Sequence, residues 1–182
     1  MKRNAQGFTV IELMVAIAIL AILMSLAVAD NAWLRSSRQS SYTNQLQTSL
    51  LYAKSEAMRL GNRVTLCKSA APTAVTPVCS TTGSWADGWI LFSDNTHLTS
   101  NVAGTIDGTD TVLKVGEPLK DSTVTVGANY TNWVSFLPSG LARGNGGTAS
   151  ATFTICIPNR TQGSAISVNI VGRVQTSSTT CS

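Results

Sequence analysis

Apolar residues run almost unbroken from Phe8 to Ala29, in FTVIELMVAIAILAILMSLAVA, behind the short polar and basic start MKRNAQG. A run of about 22 apolar residues reaches about 33 Å as a helix, enough to span a bilayer. It is longer than the roughly 7–15-residue core of a cleaved secretory signal. Lys2 and Arg3 precede it, so the positive-inside rule keeps the leader in the cytoplasm and sends the rest outward. Polar positions then return with helical spacing. Leu46, Leu50, Ala53, Ala57 and Leu60 recur at steps of three and four, Gln45, Gln47, Lys54 and Arg59 fill the other faces, and no Pro or Gly interrupts the chain from Asp30 to Leu60. The pattern predicts one helix of about 53 residues, on the order of 80 Å, apolar all round in its first half and amphipathic in its second. Gly61 is placed to end it.

After Gly61 the period changes to two. Short β-branched runs at Arg63–Lys68, Gly88–Ser93, Thr111–Val115, Thr123–Val126, Trp133–Leu137, Ala151–Ile157 and Ala165–Val171 are separated by turn-formers such as Asp107-Gly108 and Pro138-Ser139-Gly140. Phe153/Ile155/Ile157 and Ile166/Val168/Ile170 alternate as in a sheet with one wet face. The chain therefore divides into a leader (1–7), an apolar helix (8–29), an amphipathic helix (30–61) and a β-rich domain (62–182). The fold class is α+β, with a long N-terminal helix packed on an antiparallel sheet.

Composition narrows the compartment. Only 12% of the 182 residues are charged, and the formal net charge is +4. Loss of Lys2 and Arg3 leaves 11 basic against 9 acidic side chains, +2, too little for nucleic-acid binding to follow from net charge alone. The four cysteines, Cys67, Cys79, Cys156 and Cys181, contain no CxxC, and His97 is the only histidine. That argues against a zinc site and for two disulfides in an exported domain. Three pairings exist. The local ones, Cys67–Cys79 and Cys156–Cys181, each close a loop rich in turn-formers, and the second ties down the C-terminus.

No constellation supports catalysis or a cofactor. His97 reads as a loop residue, and Asp107-Gly108-Thr109-Asp110 lacks the spacing and distal Glu of an EF-hand and reads as a turn. Trp85, Trp89 and Trp133 would make a stacking surface if exposed, but Trp89 and Trp133 sit in apolar runs and read as core. The exception to the bland pattern is Glu12, the one ionisable residue in the apolar run. A carboxylate in a membrane helix costs about 2.5–3.5 kcal/mol or more unless paired.

Gly7-Phe8-Thr9-Val10-Ile11-Glu12-Leu13 resembles the class III signal of type IV pilins and type II secretion pseudopilins. The resemblance implies that a prepilin peptidase cuts between Gly7 and Phe8 and N-methylates Phe8. It implies that Glu12 pairs with the N-terminal amine of a neighbouring subunit during assembly, so that a free subunit carries an unpaired acid. Unlike many members, this chain has no proline near the end of the apolar run, which reads Leu26-Ala27-Val28-Ala29-Asp30. Further on, Ala53-Lys54-Ser55-Glu56-Ala57, Asn62-Arg63-Val64-Thr65-Leu66-Cys67, Asp87-Gly88-Trp89-Ile90-Leu91-Phe92-Ser93-Asp94, Phe136-Leu137-Pro138-Ser139-Gly140 and Val171-Gly172-Arg173-Val174 are similar to the GspH/FimT/FimU group of minor pilins. The resemblance implies a type IV pilin-like fold, with no enzyme activity, metal or cofactor. It implies an inner-membrane, single-pass precursor with a periplasmic C-terminal domain, later part of a pilus on the cell surface. Its partners would be the prepilin peptidase and other minor and major pilins. The function implied is a minor pilin at or near the pilus tip that primes assembly.

Two alternatives stay open: a minor pseudopilin that contacts type II secretion components, and a DNA-binding pilin of natural transformation. DNA-binding members of the group carry Gly-Arg-x-Arg near the C-terminus. Here the motif is Gly172-Arg173-Val174-Gln175, so Gln175 replaces the second cation. Arg143 and Arg160 are the candidate supplements.

Overall fold

The computed structural model describes residues 9–27, 32–95, 104–147 and 150–181. It falls into two compact units, Met1–Leu34 and Arg35–Ser182. The first contains helix α1, Val10–Ala27. Its described side chains are exposed from Val10 to Met24, as a helix apolar on every face must be when nothing packs on it. Among the described residues no helix is long and apolar enough to cross a membrane. The 18 residues of α1 rise about 27 Å, just short of a hydrocarbon core of about 30 Å. Phe8, Val28 and Ala29, which complete the expected span, lie outside the described residues.

Helix α2 (Ala32–Leu60), in the second unit from Arg35 onward, buries Gln39, Thr43, Leu46, Ser49, Leu50, Ala53, Glu56 and Ala57. The steps of three and four make one stripe. Gly61, at φ +68°, ends it by donating its N–H to the Ala57 carbonyl at 3.1 Å, the left-handed glycine stop expected there.

Among the described residues nine strands follow. They are β1 (Arg63–Lys68), β2 (Trp89–Asp94), β3 (Thr111–Gly116), β4 (Thr123–Val126), β5 (Trp133–Phe136), β6 (Ala142–Gly144), β7 (Ala151–Cys156), β8 (Gln162–Val168) and β9 (Val174–Thr180). They form two antiparallel sheets, β3-β2-β1-β5-β6 and β4-β7-β8-β9, where the sequence pattern suggests one. The polar runs β6 and β9 were not expected as strands, and β8 begins three residues earlier than its apolar alternation.

The α2 stripe meets the inner faces of both sheets. Leu46, Leu50, Ala53 and Ala57 share one cluster with Val64, Leu66, Leu91, Val134 and Phe136 of the first sheet and Phe153, Ile155, Ile166 and Val168 of the second. Trp85 closes it. Its ring stands edge-on to Phe153, with centroids 5.1 Å apart at 86°, and its indole N–H donates to the carbonyls of Tyr130 and Thr131 at 3.1 and 3.2 Å. Trp85 and Trp89 are fully buried and Trp133 half-buried, so these rings are core and offer no exposed stacking surface. Cys67, Ile90 and Phe92 form a smaller cluster on the other face of the first sheet, with Cys79, Ile106 and Trp133.

Cys67 is bonded to Cys79 and Cys156 to Cys181, closing loops of 12 and 25 residues. These are the local pairings. The second reaches over β8 at Gly163, where a Cβ would stand 2.5 Å from Cys181 Sγ and 3.0 Å from Cys156 Sγ. Only glycine leaves room for that bridge.

Candidate functional site

Gly7 and Phe8, the expected processing pair, lie outside the described residues. The next residues build a helix start. Thr9 stands before the first turn of α1. Glu12 N–H donates to Thr9 Oγ1 at 3.3 Å, and Glu12 Oε2 accepts from Thr9 N–H at 3.3 Å. Oε2 also lies 3.5 Å from Thr9 Oγ1. This reciprocal arrangement is a capping box. The carboxylate also sits where the helix dipole favours a negative charge. The acid is thus hydrogen-bonded to its own helix start, and among the described residues it forms no ion pair. Its bonds are long, so a stronger cation can displace them.

The C-terminal arginines separate into two places. Arg173 closes the turn between β8 and β9. Its N–H donates to Asn169 Oδ1 at 2.8 Å, and its carbonyl accepts from Asn169 N–H at 3.1 Å. Gly172, at φ +68°, presses against the Pro138–Leu141 turn, and Lys54 Nζ donates to the Val171 and Gly172 carbonyls at 3.3 and 3.0 Å. Ala142 N–H donates to the Ile170 carbonyl at 2.9 Å, which brings Arg143 beside this turn. Arg143, Arg173 and Gln175 are all exposed. Arg160 is elsewhere. It precedes β8, at the opposite end of that strand, and its Nε is bonded to the Gln162 carbonyl at 3.2 Å. Seven residues of strand put about 23 Å between the two ends. The expected grouping of Arg160 with Arg173 is not formed, and Arg143, in β6 opposite Ser135, adds its charge beside Arg63 of the first sheet.

The first sheet carries a buried polar network. Asp94 Oδ2 accepts from Thr65 Oγ1 at 2.7 Å and from Gly104 N–H at 3.2 Å, Thr65 Oγ1 lies 2.6 Å from Ser135 Oγ, and Asp94 Oδ1 faces Arg63 Nε at 3.6 Å. Burial pushes the Asp94 carboxyl above its ordinary range; Thr65, Arg63 and Gly104 offset this only in part, and Asp110 adds to it. Desolvation pulls the Arg63 guanidinium down, more than Asp94 holds it up. Because the folded chain binds the Asp94 proton more tightly than the unfolded chain, this group favours folding most at low pH and loses that effect as pH rises through the raised value. Asp94→Asn mimics the protonated form. Its melting temperature relative to the parent should therefore be highest near pH 7 and fall as pH is lowered to about 4. A relative melting temperature that rises on acidification contradicts the account.

His97 lies outside the described residues. Asp107–Asp110 is the turn expected: Asp110 N–H donates to the Asp107 carbonyl at 2.9 Å, and the Asp110 carboxylate accepts from Asn95 N–H at 2.9 Å and Asp107 N–H at 3.1 Å. Among the described residues no group of His, Cys, Asp and Glu could hold a metal ion.

Thr9, Lys54, Gly140 and Gly163 contribute in ways that the sequence pattern did not assign to them. Thr9 alone carried a legible signal, the Thr-x-x-Glu spacing of a capping box.

Two families match the chain. The prokaryotic N-terminal methylation motif covers residues 2–28, and type II transport protein GspH covers residues 42–172. No curated protein matches it. Two crystal structures of the type IV minor pilin FimU of Pseudomonas aeruginosa strain PAO1 share the fold. The one in space group P21 aligns at 17% identity over 80% of this chain and 92% of that chain, with a TM-score of 0.55. The one in P65 aligns at 18% identity over 76% and 91%, with a TM-score of 0.52. With the methylation motif at one end, a GspH match over well over half its length and the fold of these structures between, the chain belongs to the GspH family.

Proposed function

We propose that the chain is a minor pilin of a type IV pilus, held in the inner membrane by its N-terminal helix until it is incorporated at or near the pilus tip, where it primes assembly. A prepilin peptidase cuts between Gly7 and Phe8 and methylates Phe8. Glu12 then exchanges its weak self-cap for the N-terminal ammonium of a neighbouring subunit. What carries this reading is the methylation motif at residues 2–28 with its acid placed at the third residue of α1, on the helix start. A carboxylate and an ammonium, each costly alone in an apolar core, are tolerable as a pair. The peptidase and the other pilins are the partners; the β-domain supplies surfaces to them.

The processing step is tested by Gly7→Ala. Intact mass of the membrane-bound protein should show Met1–Gly7 retained, against a shortened and methylated parent chain. A substituted chain that loses its leader as the parent does contradicts the cut site.

A further inference from the structure

Strand β9 is an open edge. It ends the sheet order β4-β7-β8-β9, and its Val174–Thr180 sequence, VQTSSTT, contains no charge, proline or glycine. Natural edges are usually blunted by such residues or by a bulge. Here the β8–β9 pairing runs without a shift from Gln162↔Thr180 to Val168↔Val174.

The register says which backbone groups are free. Asn169 N–H bonds to the Arg173 carbonyl at one end of the ladder, and Cys181 N–H bonds to the Thr161 carbonyl at the other. Antiparallel alternation then directs the backbone of Gln175, Ser177 and Thr179 to β8. Val174, Thr176, Ser178 and Thr180 turn their N–H and C=O groups outward. Thr176 and Ser178 lie opposite Ile166 and Ser164, so their side chains share the sheet face that meets α2. There a cleft of about 310 Å³ separates Ser40, Thr43 and Asn44 of α2 from Ser164, Thr176 and Ser178. It is lined by hydroxyls and amides and has no charge. At the end of the strand Arg173 is exposed, and among the described residues it forms no ion pair.

We propose that β9 is a docking edge for an extended segment of a partner protein, which adds antiparallel as a fifth strand of this sheet. The segment is uncharged where it faces Thr176 and Ser178, with small hydroxyl-bearing residues turned into the cleft. It carries an acidic residue at its C-terminal end, where antiparallel pairing brings it to Arg173. A neutral cleft rejects a charged side chain, which would lose its hydration without a counter-charge. The exposed Arg173 at the strand's start fixes direction and register. The proposal goes beyond the assembly role of Glu12 and does not depend on it.

The test uses the full chain in detergent micelles and an acetylated, amidated octapeptide, Thr-Gln-Thr-Gln-Thr-Gln-Thr-Glu. Hydrogen exchange followed by NMR should show new protection at the amides of Val174, Thr176, Ser178 and Thr180, with Gln175, Ser177 and Thr179 unchanged. Ser178→Pro, which removes one outward donor at an edge that tolerates proline, should abolish the protection. Thr176→Lys, which leaves the backbone intact, should abolish it as well. Arg173→Ala, or lysine in place of the peptide's glutamate, should weaken binding about two- to fivefold, the range of one exposed ion pair. No protection at millimolar peptide, or protection that persists in both edge variants, overturns the proposal. Equal binding of the glutamate and lysine peptides overturns the assigned polarity. Normal or failed filament incorporation of a Glu12 variant leaves all these readouts untouched, so the two ideas fail separately.

Discussion

Glu12→Ala is expected to leave the chain inserted, processed and folded but absent from filaments. The free subunit loses only a capping carboxylate with long bonds to Thr9, a change of about 0.5–2 kcal/mol confined to the helix start. In the proposed assembly, the filament subunit would lose the partner of a buried ammonium. Removing one member of such a pair costs about 3–5 kcal/mol. At about 1.4 kcal/mol per tenfold, incorporation should fall by roughly a hundredfold or more. Quantitative immunoblotting of sheared filaments against whole cells measures this ratio. Glu12→Gln separates the two roles of the side chain, because glutamine can still close a capping box but carries no charge. If the pairing account is right, Gln is nearly as defective as Ala. Recovery with Gln would show that the cap, and not the charge, is what assembly needs.

The second large effect is expected at Gly172. A Cβ there would stand 2.1 Å from the Gly140 carbonyl oxygen, which is backbone and cannot swing aside. The φ of +68° adds a left-handed penalty of about 1–2 kcal/mol for any other L-residue. Gly172→Ala should therefore cost roughly 2–4 kcal/mol, a drop in melting temperature on the order of 10 °C. Gly61 supplies the comparison. It has the same φ of +68°, but nothing lies within 4 Å of its would-be Cβ. Gly61→Ala should thus show the left-handed penalty alone. Equal losses in the two variants would show that the Gly140 contact yields freely and that Gly172 serves only its backbone angle.

The same pair of glycines shows what a sequence can carry. Gly61 was legible as a helix stop, because the apolar stripe through Leu46, Leu50, Ala53 and Ala57 ends just before it. The constraint on Gly172 was not, because it arises where the β8–β9 turn meets Gly140, 32 positions away. Strands buried on one face, such as β4 and β7, announced themselves by alternation. Strand β9 did not, since its inward residues face a polar cleft and its outward ones face water, leaving no apolar signal. Trp85 was not legible as buried for a different reason. It lies in a single 3-10 turn, Trp85–Asp87, and a ring can be buried from such a turn without any periodic neighbours. At the candidate site, the acid in the apolar run was plain. The relation of Arg160 to Arg173 was not, because it depends on the direction of one strand.

The bridge from Cys156 to Cys181 also has a consequence for how the exported chain is made. Cys67 can be oxidised as soon as Cys79 has crossed, only 12 residues later. Cys156 has to wait for Cys181, 25 residues later. A chain cut short anywhere in β9 arrives with one thiol that no intramolecular partner can cap, in a compartment where free thiols are oxidised or exchanged. The bridge thereby distinguishes chains that carry all of β9 from chains that have lost it.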